Sequence, residues 1–200
     1  MTIFSFLLIF IQSQDVTYGS AVQLKGLFTK NRLTVMINQT NAQPILLASR
    51  PPYKDGWYWI IQPTNESQDA IKLPVQCGDE IDLYNSLFSF YIVKHNIKNS
   101  DEMGLTKLKN SQGWSTWKII CDAQSSTWKQ DEPVQFYNKN GNCFLSSDFS
   151  SLLNIESGGH AYIIKCEQEA SKYSQWRAAE GIYLDNEPVS EMYAKSPRDL

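Results

Sequence analysis

Three short segments of the 200-residue sequence are built on a tryptophan inside a strand-like run: Tyr58-Trp59-Ile60-Ile61, Trp117-Lys118-Ile119-Ile120 and Trp176-Arg177-Ala178-Ala179. The indoles stand 58 and 59 residues apart. A near-constant period marks one supersecondary unit used three times. A second ladder keeps the same rhythm. Upstream of each tryptophan lies an alternating apolar pair, Val22/Leu24, Ile81/Leu83 and Val134/Phe136. Nine residues beyond the second member of each pair comes a large aliphatic side chain: Leu33, Ile92 and Leu145. Alternation at period two marks a strand with one buried face. Turn-like residues lie between, as in Asn138-Lys139-Asn140-Gly141-Asn142, so each pair and its follower reads as a β-hairpin. The expectation is an all-β chain of three repeats, over about 16–62, 75–121 and 128–180.

Outside the repeats, residues 1–14 read as a secretory signal peptide. Ile3 to Ile11 is apolar apart from Ser5, and polar Gln12-Ser13-Gln14 follows. Such a run is too short for a spanning helix, which needs roughly 20 apolar residues. No longer apolar run follows, so no membrane span is expected. Residues 15–184 suit one domain with its own core, and 185–200 read as a mobile C-terminal tail. The net charge is −3 and no basic run is present, which argues against nucleic acid as a partner.

The four cysteines, Cys77, Cys121, Cys143 and Cys166, are an even set in a chain with an export signal, which favours disulfides over buried thiols. Three pairings are open. Cys77 precedes the first strand of the second unit and Cys121 ends its last, and a closed unit can lay those strands side by side. That favours Cys77–Cys121, with Cys143–Cys166 on the central strands of the third unit as the second bridge. Cys143, His160 and Cys166 do not have the spacing of a compact zinc site, so no metal or other cofactor is expected. Neither a G-x-S-x-G, an H-E-x-x-H, a Walker loop nor a G-x-G-x-x-G is present. Asp79-Glu80 and Asp131-Glu132 read as solvated turn positions, and the chain reads as a non-enzyme. Asn38-Gln39-Thr40 and Asn65-Glu66-Ser67 are acceptor sequons, which makes Asn38 and Asn65 glycosylation candidates. For a sugar-binding surface the candidate aromatics are Tyr84, Tyr137 and Phe149.

A three-unit all-β chain of this length resembles a β-trefoil of three four-stranded units, with half its strands closing a barrel and half capping it. Several segments narrow the likeness: Asp15 to Leu24, Tyr58-Trp59-Ile60, Trp117-Lys118-Ile119-Ile120, Thr127 to Asp131 and Ala178 to Leu184. In order and spacing these resemble the stromal cell-derived factor 2-like family of MIR-domain proteins, over nearly all of the chain after residue 14. The resemblance implies a MIR-type trefoil resident in the endoplasmic reticulum lumen. It implies a J-domain co-chaperone and the luminal Hsp70 complex as partners, and a role in keeping misfolded clients soluble. Because MIR domains also occur in protein O-mannosyltransferases, it implies mannosyl-glycan binding as the alternative. Many members carry Leu-His-Ser-His on the second strand of a unit. The matching positions here are Leu33-Thr34-Val35-Met36, Ile92-Val93-Lys94-His95 and Leu145-Ser146-Ser147-Asp148. Of the motif's histidines only His95 is kept, as a candidate binding residue. Gly158-Gly159 keeps the family's glycine turn. The terminal Pro197-Arg198-Asp199-Leu200 is a degenerate relative of a luminal retrieval signal, and secretion follows if it is not read as one.

Overall fold

In the computed structural model, residues 13–38, 42–50, 56–65, 68–94, 103–109, 113–122, 125–154 and 160–184 are described. The expected signal peptide lies almost wholly outside these residues, and the expected mobile tail, His95 and Gly158-Gly159 lie wholly outside them.

The strands follow the two sequence ladders. The first set is β1 (Ala21–Gly26), β2 (Arg32–Ile37), β3 (Pro44–Ser49) and β4 (Tyr58–Pro63); the second is β5 (Glu80–Asn85), β6 (Phe90–Lys94), β7 (Met103–Thr106) and β8 (Thr116–Cys121). The third is β9 (Val134–Asn138), β10 (Cys143–Ser146), β11 (Leu152–Asn154), β12 (His160–Ile163), β13 (Lys165–Glu167) and β14 (Gln175–Ile182). Antiparallel pairing runs from β1 to β4, β5, β8, β9 and β14 and back to β1. This closes a six-stranded barrel, which removes its sheet edges. Three hairpins, β2–β3, β6–β7 and β10–β13, cap it. Each hangs from a barrel strand through β1–β2, β5–β6 or β9–β10. The architecture is an all-β trefoil.

Its interior is the repeat made solid. Val22, Ile81 and Val134 lie across the strand pair from Trp59, Trp117 and Trp176. Leu24, Leu83 and Phe136 lie opposite Ala178, Ile61 and Ile119 of the neighbouring set. A buried indole N–H needs an acceptor, and each of the three finds the same one. Nε1 of Trp59 donates to the Leu33 carbonyl at 3.0 Å, that of Trp117 to Ile92 at 3.3 Å and that of Trp176 to Leu145 at 2.8 Å. The tryptophans, the second pair members and the followers are all fully buried.

The threefold relation extends to the main chain. The N–H of Val16 donates to the Trp128 carbonyl at 2.8 Å, Trp128 to Val75 at 2.9 Å and Val75 to Val16 at 2.9 Å, closing a ring of three hydrogen bonds. Three residues after each of these comes a positive φ, at Gly19 (88°), Gly78 (98°) and Asp131 (62°). The N–H groups of these three donate to Ile61, Ile119 and Ala178 at 2.8 Å each. Glycine is the residue with no penalty there, and aspartate tolerates the left-handed region better than most.

One unit departs from the expected four strands. The third carries β11 and β12 between the two strands of its capping hairpin, and β12 pairs with β3 of the first unit. The connection from Ser147 to Ile164 is long enough to fold back and cover an edge that β3 would otherwise expose. The cysteines are joined as Cys77–Cys121 and Cys143–Cys166, with Cα atoms 5.5 and 5.2 Å apart. The first bridge ties the lead-in of β5 to the end of β8, and the second ties β10 to β13.

Candidate functional site

The residues singled out by the repeat (Trp59, Trp117, Trp176, Leu24, Leu83, Phe136, Leu33, Ile92 and Leu145) are spent on the core, so any site must lie on the outside. Asn38 is half-buried just after β2 and Asn65 is exposed just after β4, while the remainder of each sequon lies outside the described residues. Tyr84 and Tyr137 do not stand free. Tyr84 packs on Tyr91 with ring centroids 4.8 Å apart, and Tyr137 on Phe144 at 5.1 Å. The Tyr137 hydroxyl donates to Asn142 Oδ1 at 2.7 Å.

Phe149 is different. It lies 44% exposed in the bend after β10, among side chains from three other parts of the fold. Phe28, 46% exposed, comes from the β1–β2 turn; Tyr162 comes from β12; Tyr173 comes from the 3₁₀ turn Lys172–Ser174 before β14. That turn is fixed by a reciprocal cap, Ser171 Oγ accepting from the Tyr173 N–H and Ser174 Oγ from the Ser171 N–H. Phe28 meets Tyr173 at 5.3 Å and 87°, and Phe149 meets Tyr162 at 5.3 Å and 77°. Phe149 joins the two pairs, 6.2 Å from both Phe28 and Tyr173. Leu152, 49% exposed, lies across the strand pair from Tyr162. The Lys172 ammonium sits 4.1 Å from the Phe28 ring centre. At the rim, Asp148 accepts from the Ser150 N–H and hydroxyl at 3.0 and 2.7 Å and from Lys165 Nζ at 3.5 Å. Burial pushes the Asp148 carboxyl up, but these donors outweigh it and hold it below the ordinary carboxylate value.

A second feature is a polar groove of about 420 Å³ on the barrel wall, lined among others by Asn65, Glu80, Thr116, Lys118, Tyr137 and Asn140. Glu80, Lys118 and Tyr137 follow one another across β5, β8 and β9. The groove combines a ring with acid, amide and ammonium groups.

Asp82 is the one fully buried carboxylate among the described residues. Its Oδ1 accepts from Ser115 and Thr116 hydroxyls at 3.3 and 3.5 Å, and Oδ2 has no partner. Burial pushes its carboxyl up to about 6, against the weaker pull of Lys109 and the two hydroxyls. Among the described residues no group of three or more His, Cys, Asp and Glu side chains could hold a metal ion, and no helix is long and apolar enough to cross a membrane. The aromatic patch escaped the sequence reading except for Phe149, because Phe28 and Tyr173 are far apart in the chain and carry no shared motif.

No protein-family model matches the chain. A stromal cell-derived factor 2-like protein of Arabidopsis thaliana is 28% identical over 190 residues, covering 88% of this chain and 83% of that protein. The crystal structure of the SDF2-like protein from Arabidopsis thaliana superimposes with a TM-score of 0.74 at 23% identity, over 87% of this chain and 99% of that one. The S. cerevisiae protein O-mannosyltransferase Pmt1-Pmt2 complex, bound to the sugar donor, contains the same fold: TM-score 0.70 at 12% identity, over 88% of this chain and 27% of that one. The likeness read from the segments between Asp15 and Leu184 therefore holds in sequence and in fold over most of the chain: it is similar to the stromal cell-derived factor 2-like proteins, and it is a β-trefoil.

Proposed function

We propose that this chain is a non-catalytic quality-control protein of the endoplasmic reticulum lumen, a subunit of a J-domain co-chaperone and Hsp70 complex that keeps misfolded clients soluble. In this reading residues 1–14 are removed on export and 15–184 form the single working domain. The observation that carries it is the likeness to the Arabidopsis thaliana protein across 88% of the chain. Two disulfides support an oxidising compartment. A rigid barrel held by three buried indoles suits a subunit that contributes surface rather than motion. The test is capture of the tagged full chain from solubilised luminal extract with mass spectrometry of what comes with it. A J-domain protein recovered with luminal Hsp70 is expected, and its absence overturns the reading.

Glycan binding is the second reading, favoured by the groove beside Tyr137, whose ring, acid, amide and ammonium groups suit a saccharide. The fold shared with the protein O-mannosyltransferase complex is in keeping with it. Saturable binding of a mannosyl oligosaccharide, lost in Tyr137→Ala, is the expected result. No binding to the wild-type chain removes this reading.

A further inference from the structure

The patch around Phe149 is a run of five largely apolar side chains, ordered Phe28, Tyr173, Phe149, Tyr162 and Leu152, in which Phe28, Phe149 and Leu152 are exposed and the two tyrosines half-buried. Exposed apolar surface of this kind marks a place where something else docks. Three observations decide what. First, neighbouring rings meet at 57–87°, so they form a ridged surface. A pyranose needs one open ring face, and the Phe28 face is taken by the Lys172 ammonium. Second, centroid spacings of 5.3–6.2 Å come close to the roughly 6.5–7 Å between side chains on one face of an extended peptide. β11, beside the patch, pairs among the described residues with β12 alone and ends the strand order, leaving its outer edge open to strand addition. Third, the patch carries a positive charge that is met by aromatic rings alone. Lys165 is paired with Asp148, but Lys172 is exposed and has no carboxylate partner among the described residues.

We propose that this patch docks an extended segment of an unfolded polypeptide, one with an acidic residue beside its apolar side chains. The segment lies along the outer edge of β11, its apolar side chains seat between Phe149, Tyr162 and Phe28, and its carboxylate meets Lys172. The inference rests on the client-holding reading above and gives that role a place on the molecule.

The experiment uses the full chain and a fluorescent twelve-residue peptide of alternating apolar residues with one aspartate, followed by anisotropy. Saturable binding is expected. It should weaken at least tenfold in the double variant Phe28→Ser/Phe149→Ser. In Lys172→Glu, an exposed substitution, the preference for the aspartate peptide over its lysine counterpart should reverse. The inference is overturned by any of four results: no binding to wild type, unchanged affinity in the double variant with unchanged charge preference in Lys172→Glu, competition by a mannosyl oligosaccharide, or self-association of the chain that the same variants abolish. Co-capture of the J-domain protein is measured in parallel. If both wild type and patch variants bring it down while the peptide is not bound, the docking site alone falls. If the peptide binds and no J-domain protein is recovered, the complex reading falls instead.

Discussion

The second and third units close on asparagines, and the first does not. Asn85 donates through Nδ2 to the carbonyls of Gly56 and Tyr58 at 2.8 and 3.2 Å, and its Oδ1 accepts the Phe88 N–H at 3.2 Å. Asn138 repeats the pattern with Trp114 and Thr116 at 2.9 and 3.0 Å and the Gly141 N–H at 2.7 Å. At the matching point of β1 stands Gly26, where a Cβ would come within 2.5 Å of Thr29 Oγ1. The carbonyls left over there, of Tyr173 and Gln175, are met by the backbone N–H groups of Ser147 and Leu27 instead. The outer wall differs at the same place. Tyr84 faces Tyr91 and Tyr137 faces Phe144, but their counterparts in the first unit are Lys25 and Arg32. Burial, and then Arg177, Arg32 and Lys30, push the Lys25 ammonium down. The threefold order thus belongs to the core and the main chain, and the side chains outside it are free to specialise. Where the asparagine is missing, the β1–β2 turn is pinned differently, and that turn presents Phe28 to the patch.

The contrast can be pressed at four points. The Cys77–Cys121 bridge belongs to the second unit alone, the matching residues elsewhere being Tyr18 with Pro63 and Gln130 with Glu180. Cys77→Ser should cost about 2–5 kcal/mol in chemical denaturation, and an unchanged midpoint would mean that the bridge adds nothing the other units lack. Asn138→Ala removes three hydrogen bonds of a buried side chain, for an expected loss of about 2–3 kcal/mol. A loss no greater than that of an exposed control such as Lys139→Ala would break the asparagine argument.

Asp82 tests a third difference, since Gln23 and Gln135 hold its place in the other units. With its carboxyl raised to about 6, the folded chain keeps a proton that the unfolded chain has released. The stabilisation from this group is therefore complete below about pH 4 and is lost as pH rises through about 6. Asp82→Gln should raise stability at pH 7.5, by on the order of 2 kcal/mol, and flatten the profile between pH 4 and 6. A profile that keeps its slope in the variant assigns the titration elsewhere. Smallest is Tyr84→Lys, which puts the lysine of the first unit opposite Tyr91 and should cost under about 1 kcal/mol; a larger loss would make that aromatic pair structural.

What the sequence made visible follows from the same contrast. The indoles, apolar pairs and followers recur because each must fill one-third of a shared interior, and periodicity is the signal that packing leaves. The bridge between Cys77 and Cys121 was legible for the same reason, since the repeat lays their strands side by side. Asn85 and Asn138 carried a readable trace, an asparagine two residues beyond Leu83 and Phe136, but glycine at the third position hid it. β11 and β12 left no mark, because an excursion used once has no period. The patch was hidden for a different reason. Phe28, Phe149, Tyr162 and Tyr173 meet through the closure of the first unit on the third, and side chains joined only by tertiary contact have no common spacing along the chain.

The ring of Val16, Trp128 and Val75 has a bearing on how the chain comes into being. Its first member stands near the start and its last past the middle, while β1 finds its partner β14 only when residues 175–182 are available. A polypeptide emerging from its amino end can fold hairpins early but cannot shut the barrel until β14 has been made. Until then β1 waits with an open flank, at risk of pairing with the wrong neighbour. A protein built this way passes through the hazard of an unfinished client each time it is synthesised.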